Sequence, residues 1–482
     1  MSETARHLIG GEWVAGESTG ESVNPATGEV LGAFADGGEA EAKAAVEAAV
    51  AAFEGTGWAR EPALRTQALL EMADAFDAHA DELTPMLTAE NGKTLSQAEF
   101  ETRSAGATLR FSAATAQHET GVAAEVSPGV HFETLAEPIG VAGIITPWNS
   151  PLALLVRSLG PALAAGTATV VKMPAQTALF NTRIFEVISE AEALPPGIVN
   201  FFNESGNTGA PYLVAAPEVP AISYTGSVPV GRAVMAAGSA QLKRLNLELG
   251  GKAPLLVFED ADPDVALPLI VGAITTFAGE FCMAGTRVLV AAPLAEEVGR
   301  RLAEMLEAVK IGPGDQPDVQ MGPLIDEANV ARVEAIAAAA EGSARTLLRG
   351  GPIEDGPLAA GSFFRPALFE VEDLSNPLVQ QEVFAPVVTL ERFADESEAI
   401  VRANATDFGL AATVFTTDVD RSRRVSRSLK FGTVWTNAWS VLNDGFEEGG
   451  FKQSGLGRLR GTLGVRAFQE LKTYVHSETT RA

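Results

Sequence analysis

The stretch "VAGIITPWNSPLALLVRSLGPALAAGTATVVK", residues 141–172, decides the fold. A short apolar run of β-formers (141–145) enters a Pro-Trp-Asn turn, a helical stretch of Leu, Val and Ala follows (151–164), and a second β-forming run closes the segment (168–171). Two continuously apolar strands joined through a helix form a βαβ unit, whose parallel strands are covered on both faces.

The alternation continues downstream. "IVNFF" (198–202), "AISYT" (221–225) and "RLNLEL" (244–249) extend the first parallel sheet. "APLLVF" (253–258), "RVLVA" (287–291), "PVVTL" (386–390), "AATVF" (411–415) and "GTVWTN" (432–437) read as a second. The expected class is α/β, with two tandem doubly wound, Rossmann-like domains. Residues 36–118 read as mostly helical, with Ala-rich periodicity at 38–53 and 61–90, whereas 119–138 is polar and β-forming, as in a projecting hairpin. Pro/Gly-rich stretches at 311–323 and 350–362 read as surface loops.

Composition narrows the partners. With 482 residues, 46% of them hydrophobic and 20% charged, the chain is expected to be globular and to hold more than one core. A net charge of −27 repels polyphosphates, so neither nucleic acid nor an anionic membrane is expected as a partner, and any anionic ligand needs local donors. No apolar run reaches about 18 residues, and "MSETARHLIGGEW" lacks the apolar core of a secretion signal, so a cytoplasmic setting is expected. A single cysteine forms no intrachain disulfide, which agrees with a reducing compartment.

That cysteine is Cys282, in "AGEFCMAGTR" (278–287). By itself it reads equally as a small buried hydrophobe or as a nucleophile. The five histidines, at 7, 79, 118, 131 and 476, lie outside both α/β repeats, so a Cys–His hydrolase has no evident base and a metal site no ligand spacing. If Cys282 does chemistry, a carboxylate must handle the protons. Glu248 in "NLELGGKAP" (246–254) is the candidate: it ends a strand, and Gly250 and Gly251 are expected to let the chain turn sharply and leave the carboxylate at the sheet's ligand-binding edge. The other reading is a glutamate that caps the next element. In "TPWNSP" (146–151) the amide of Asn149 stands at the same kind of edge, where it can donate to a developing oxyanion, a role worth about 2.7–4 kcal/mol, or serve only the turn.

Eight stretches in order, "PWNSP" (147–151), "VVK" (170–172), "YTGSVPVG" (224–231), "LELGGKAP" (247–254), the Cys282 segment, "QEVFAP" (381–386), "GTVWTN" (432–437) and "GGFKQSGLGR" (449–458), together resemble the aldehyde dehydrogenase superfamily over nearly the whole chain. The resemblance implies that Cys282 attacks an aldehyde, that the Asn149 amide and the Cys282 N–H hold the oxyanion, that NAD or NADP accepts hydride, and that Glu248 activates the water that hydrolyses the thioester. The small neighbours Ala278, Gly279, Ala284 and Gly285 are expected to let cofactor and substrate close on the sulfur. For the cofactor it implies Gly226, Ser227 and the following helix at the pyrophosphate, Lys172 and Glu382 on ribose hydroxyls, Phe384 near the nicotinamide ribose, Trp148 beside the path, and Gly250. It divides the chain into a cofactor domain (1–118 and 139–249), a thiol domain (250–446), and an oligomerisation hairpin and tail (119–138 and 466–482) that build a homodimer or homotetramer.

Departures from the family pattern bear on chemistry. Ala175 stands where NAD-preferring members often carry a glutamate, so the repulsion of a 2′-phosphate is missing there. Glu280 replaces a usual glutamine and is expected to raise the thiol pKa. Ser158 and Leu459 replace a Lys and a Glu that relay protons in many members, and Glu447 and Glu448 are expected to add negative charge beside the substrate entrance. Arg157 is expected on one helix face with Ser150 and Leu154, beside Asn149, where it binds substrate or pairs with a protein carboxylate such as Glu280. Phe277, Phe281 and Phe446 are expected to line an apolar funnel, which favours an aromatic or polar-substituted aldehyde. A semialdehyde whose carboxylate meets Arg157 is the alternative, although Thr276 stands where semialdehyde enzymes carry a second arginine. A CoA-acylating relative and a non-catalytic cofactor-binding scaffold are the remaining alternatives.

Overall fold

The computed structural model describes residues 4–118 and 121–478. Residues 119–120 of the expected hairpin and 479–482 of the expected tail lie outside them. The first sheet has eight strands, and its five central ones are parallel in the spatial order Val199–Glu204, Ala168–Pro174, Val141–Ile145, Ala221–Gly226, Arg244–Leu249. The chain enters at Val141–Ile145, works outward on one side, and returns to the other side. This reversal opens a crevice at the carboxyl end of Val141–Ile145, the place where open α/β sheets bind ligands.

The sequence leaves three additions to this sheet unread. His7–Ile9 and Glu12–Val14 extend one edge as antiparallel strands, and Gly455–Leu456 pairs antiparallel with Arg244–Leu249 on the other. Segment 447–465 therefore returns from the second sheet to the first. These strands are two or three residues long, too short to show a period of two. Three helices upstream, Glu39–Gly55, Pro62–Asn91 and Leu95–Ala116, match the helical reading, and the last two pack side by side under the helix Pro151–Ala165.

The second sheet has seven strands, in the order Arg345–Leu348, Ala367–Glu370, Val387–Phe393, Arg287–Ala291, Pro254–Val257, Ala411–Phe415, Thr433–Thr436, all parallel except Arg345–Leu348 at one edge. All five runs expected there are present, and both sheets reverse strand order as a doubly wound fold requires. Val122–Ser127, Val130–Pro138 and Gln469–Ser477 form a separate three-stranded antiparallel sheet, which ties the hairpin to the chain's last strand.

Inside the second sheet, Arg287 and Glu391 pair across adjacent strands through two bonds of 2.7 Å, both side chains fully buried. Arg287 opens the strand that follows the Cys282 loop, so the pair anchors that loop's exit. Removing one partner of a buried pair strands the other's charge. Glu391→Ala is therefore expected to destabilise the protein by about 3–5 kcal/mol, read as a lower urea midpoint; an unchanged midpoint would show that the pair is dispensable.

Candidate active site

Local structure brings distant residues to one cavity of about 320 Å³. Pro147, Trp148 and Asn149 follow the innermost strand, Thr225 to Ser227 follow its neighbour, and Glu248 sits one strand further on, in register with Thr225. Leu154, one turn into the helix that starts at Pro151, forms part of the same wall. The opposite wall comes from the amino-terminal side of the second sheet: Cys282 precedes the strand at Arg287, and Glu382, Val383 and Phe384 precede the strand at Val387. The carboxyl edge of one sheet thus faces the amino edge of the other.

Gly250 and Gly251 make this possible, for a reason that differs from the expected sharp turn. Neither has a positive φ. A Cβ on Gly250 would stand 1.9 Å from the Glu382 carboxylate, and one on Gly251 would stand 2.5 Å from the Cys282 carbonyl oxygen. The chain crosses between the sheets with only backbone width to spare. A similar correction holds for the small residues around the thiol. Gly279 (φ 75°) packs against the backbone of Ala385 and Pro386, and Gly285 packs against Leu255 and Ala273, so both make room for protein rather than for ligand.

A buried cation, Arg157, stands among the acidic groups of the site. Arg157 is buried, donates to Glu448 Oε1 at 2.6 Å and to Thr225 Oγ1 at 3.1 Å, and Glu448 in turn accepts from Arg460 at 2.8 Å. Burial pushes the guanidinium's pKa down, but Glu448, Glu248 and the Cys282 sulfur outweigh it, and the value ends above the ordinary one. Arg157 is thus engaged by the protein, and its partner is Glu448 rather than Glu280. The Glu448 charge expected at the entrance is buried and neutralised, while Glu447 is exposed.

Cys282 is pushed up to about 12, first by burial; Arg157 opposes this and Glu448, Glu382 and Glu248 add to it. Glu280, the residue expected to act on the thiol, instead turns its carboxylate to the Ile325 N–H at 3.3 Å. Its backbone carbonyl is what meets the site, accepting from Asn149 Nδ2 at 2.9 Å. Glu248 is 4% exposed with neither carboxylate oxygen hydrogen-bonded, and burial raises it to about 8. Glu382 accepts from the Gly251 N–H at 3.0 Å and burial raises it to about 7.

The cavity gathers Asn149, Trp148, Leu154, Gly226, Ser227, Glu248, Gly250, Cys282, Glu382 and Phe384. Ser150 is the buried N-cap of the helix at Pro151 and lies outside this cavity's wall, as do Lys172 and Ala175, at the end of the strand Ala168–Pro174 and just beyond it. Phe277 and Phe281 stand edge to face at 5.5 Å and Phe281 meets Trp439 at 5.8 Å, beside the thiol loop but outside this cavity's wall. Phe446 does not join them; it is 72% exposed in a turn. Ser158 accepts from the Ser223 hydroxyl, and Leu459 is fully buried in the first core. Trp439, Arg332 and Thr225 were not singled out from the sequence, because no local pattern marks a residue that reaches a site from another strand or loop.

The comparisons with known proteins agree with this geometry. Residues 13–474 match the model of the aldehyde dehydrogenase family. A phenylacetaldehyde dehydrogenase from Pseudomonas fluorescens is 35% identical over 97% of this chain and 95% of its own length, and a betaine aldehyde dehydrogenase from Bacillus subtilis is 34% identical over 100% and 99%. The chain belongs to the aldehyde dehydrogenase family. A solved betaine aldehyde dehydrogenase from Staphylococcus aureus in complex with NAD+ superposes with a TM-score of 0.96 at 32% identity, covering 99% of this chain and 96% of the other. The protein is an NAD(P)-dependent aldehyde dehydrogenase.

The residues present in this dehydrogenase fit a nicotinamide dinucleotide. The helix Val228–Gly238 starts at the cavity with no side chain capping it, which leaves amide donors for a pyrophosphate. Trp148 and Phe384 meet edge to face at 5.8 Å, and Phe384 holds a left-handed backbone (φ 54°), a strained conformation of the kind that collects at binding sites. Because Arg157 is tied to Glu448, Arg157→Ala is expected to lower kcat for a plain alkanal and a carboxylated aldehyde alike in steady-state kinetics. A KM penalty confined to the carboxylated one would return Arg157 to substrate binding.

Proposed function

We propose that this dehydrogenase oxidises an aromatic or polar-substituted aldehyde to its carboxylic acid through a covalent Cys282 intermediate. The observation that carries the reading is the convergence of the Cys282 sulfur, the Asn149 amide and the unpartnered Glu248 carboxylate on one cavity. The sulfur releases its proton to solvent as it bonds to the aldehyde carbon, and the second N–H of the Asn149 amide, with the Cys282 N–H, holds the oxyanion of the thiohemiacetal. Bound NAD or NADP supplies the acceptor for the hydride, and Lys172, Ser227, Glu382 and Phe384 are the residues proposed to hold it. Glu248 then removes a proton from water, which attacks the thioester and releases the acid and the free thiol. Its two free oxygens favour water over CoA as acyl acceptor.

The aromatic preference rests on Phe277, Phe281 and Trp439 around the thiol loop, and the likeness to a phenylacetaldehyde dehydrogenase points the same way. The semialdehyde reading is weaker, because Arg157 already serves Glu448.

Cys282→Ala is expected to abolish turnover while NAD still quenches tryptophan fluorescence; retained turnover would exclude the nucleophile. Glu248→Gln is expected to give one burst of reduced cofactor and then stall. Since Glu248 is neutral below its raised pKa and anionic above it, deacylation in the unaltered enzyme is expected to rise with pH through about 8. A deacylation rate flat across that range would remove Glu248 as base.

A homo-oligomer is proposed through the three-stranded sheet, whose outer strand Gln469–Ser477 exposes Leu471 (65%) and Val475 (55%). Light scattering on Leu471→Glu/Val475→Glu is expected to report a smaller species than the unaltered chain; an unchanged mass would place the interface elsewhere.

A further inference from the structure

The segment "ENGKT", 90–94, was not singled out from the sequence, yet it touches the catalytic turn at more than one point. Asn91 Nδ2 donates to the Trp148 carbonyl at 2.9 Å. Gly92 takes the left-handed backbone that ends the helix Pro62–Asn91 (φ 88°), and so turns Lys93 inward. The Lys93 ammonium is buried and donates to the carbonyl of Asn149 at 2.9 Å and to the Glu101 carboxylate. The other oxygen of Glu101 accepts from the Leu152 and Ala153 N–H groups at 3.0 and 3.2 Å, which fixes the first turn of the helix that follows Asn149.

Lys93 also reaches the other half of the site. Its ammonium stands 3.9 Å above the Phe277 ring. Phe277 and Ala278 both hold left-handed backbone (φ 51°), a conformation costly for residues with a Cβ, and they begin the loop that delivers Cys282. One buried cation therefore contacts the turn that carries the Asn149 amide and the strained loop that carries the sulfur. The two groups belong to different sheets; the Asn149 amide itself spans the gap to the Glu280 carbonyl, and Lys93 adds a second link across it.

We infer that Lys93, balanced by Glu101, is a positioning residue that fixes the Asn149 amide relative to the Cys282 sulfur. Lys93 touches neither sulfur nor substrate; it acts through the backbone of Asn149 and the ring of Phe277. The inference rests on the proposed role of Asn149 as oxyanion donor. Its charge is needed because a neutral side chain would neither satisfy the buried Glu101 carboxylate nor attract the ring face.

The test is a double-mutant cycle read in single turnover, with enzyme in excess over aldehyde and saturating NAD. Asn149→Ala checks the underlying reading: an unchanged burst rate would remove Asn149 as oxyanion donor. The pair Lys93→Met/Glu101→Gln removes both charges together, so neither is stranded, and the glutamine keeps an acceptor for the helix start. It is expected to slow the burst at least tenfold, with NAD affinity and the rate of Cys282 alkylation by iodoacetamide within twofold of the unaltered enzyme. On the Asn149→Ala background the same pair is expected to slow the burst less than twofold, because the group it positions is gone. Full additivity, or a parallel loss of NAD affinity and alkylation, would assign Lys93 a general structural role and overturn the inference. Should the charge-removed pair fail to fold, Asn91→Ala, which releases only the Trp148 carbonyl, is expected to slow the burst about threefold with the same non-additivity; an unchanged or additive burst rate there would overturn it equally.

Discussion

The crossing at Gly250 and Gly251 is the constraint on which the site depends. Two doubly wound sheets, each with its own core, have no intrinsic reason to share a cavity. They share one because the chain leaving Glu248 passes between the Glu382 carboxylate and the Cys282 carbonyl at distances that admit no side chain. The Gly251 N–H also donates to Glu382, so the backbone that separates base from nucleophile is fastened to the second sheet as it enters it. Alanine at 251 would meet the Cys282 carbonyl and force the loops apart, whereas alanine at 250 would meet the end of the Glu382 side chain and turn that carboxylate aside.

Burial then sets the electrostatics. The chain is strongly acidic overall; Glu248, Glu382 and Glu448 all act on the buried thiol, and Arg157 acts on the thiol, Glu248 and Glu448. Desolvation dominates at the thiol and at Glu248, so both favour their neutral forms, whereas Glu448, held by Arg157 and Arg460, stays ionised below the usual carboxylate range. A neutral base beside a neutral thiol is a resting arrangement. The same desolvation that suppresses ionisation at rest strengthens every hydrogen bond to charge that develops during reaction.

Much of this was legible in the chain, because parallel strands buried on both faces read as continuous apolar runs, as Val141–Ile145 and Pro254–Val257 do, although the interior strand Ala367–Glu370 went unread. Glu248 was legible at the end of a strand, Asn149 in the turn after one, and Cys282 as the single cysteine of the chain. What was missed shares one physical cause. Gly455–Leu456, the Arg157–Glu448 pairing and the Lys93 clamp are contacts between segments from about 55 to 290 residues apart, and periodicity carries no information about such pairings. Phe446 and Glu280 were misread for the converse reason: nearness to the motif in sequence suggested nearness to the sulfur, and a turn carried one outward while a rotated side chain carried the other toward Ile325.

The substitutions at 158 and 459 look like the loss of a charged pair until the neighbouring contacts are traced. Leu459 exchanges both backbone hydrogen bonds with Glu448, so a carboxylate absent at one position is present directly across the bridge. The cation absent at 158 stands one residue earlier, and Arg157 and Glu448 meet at 2.6 Å. Charge balance beside Glu248 is therefore kept, with a difference in kind: an arginine does not give up its proton under protein conditions, so the pair fixes the field at Glu248 without passing protons through the cation. A proton leaving Glu248 has to travel by water, because neither of its oxygens has a hydrogen-bond partner in the protein.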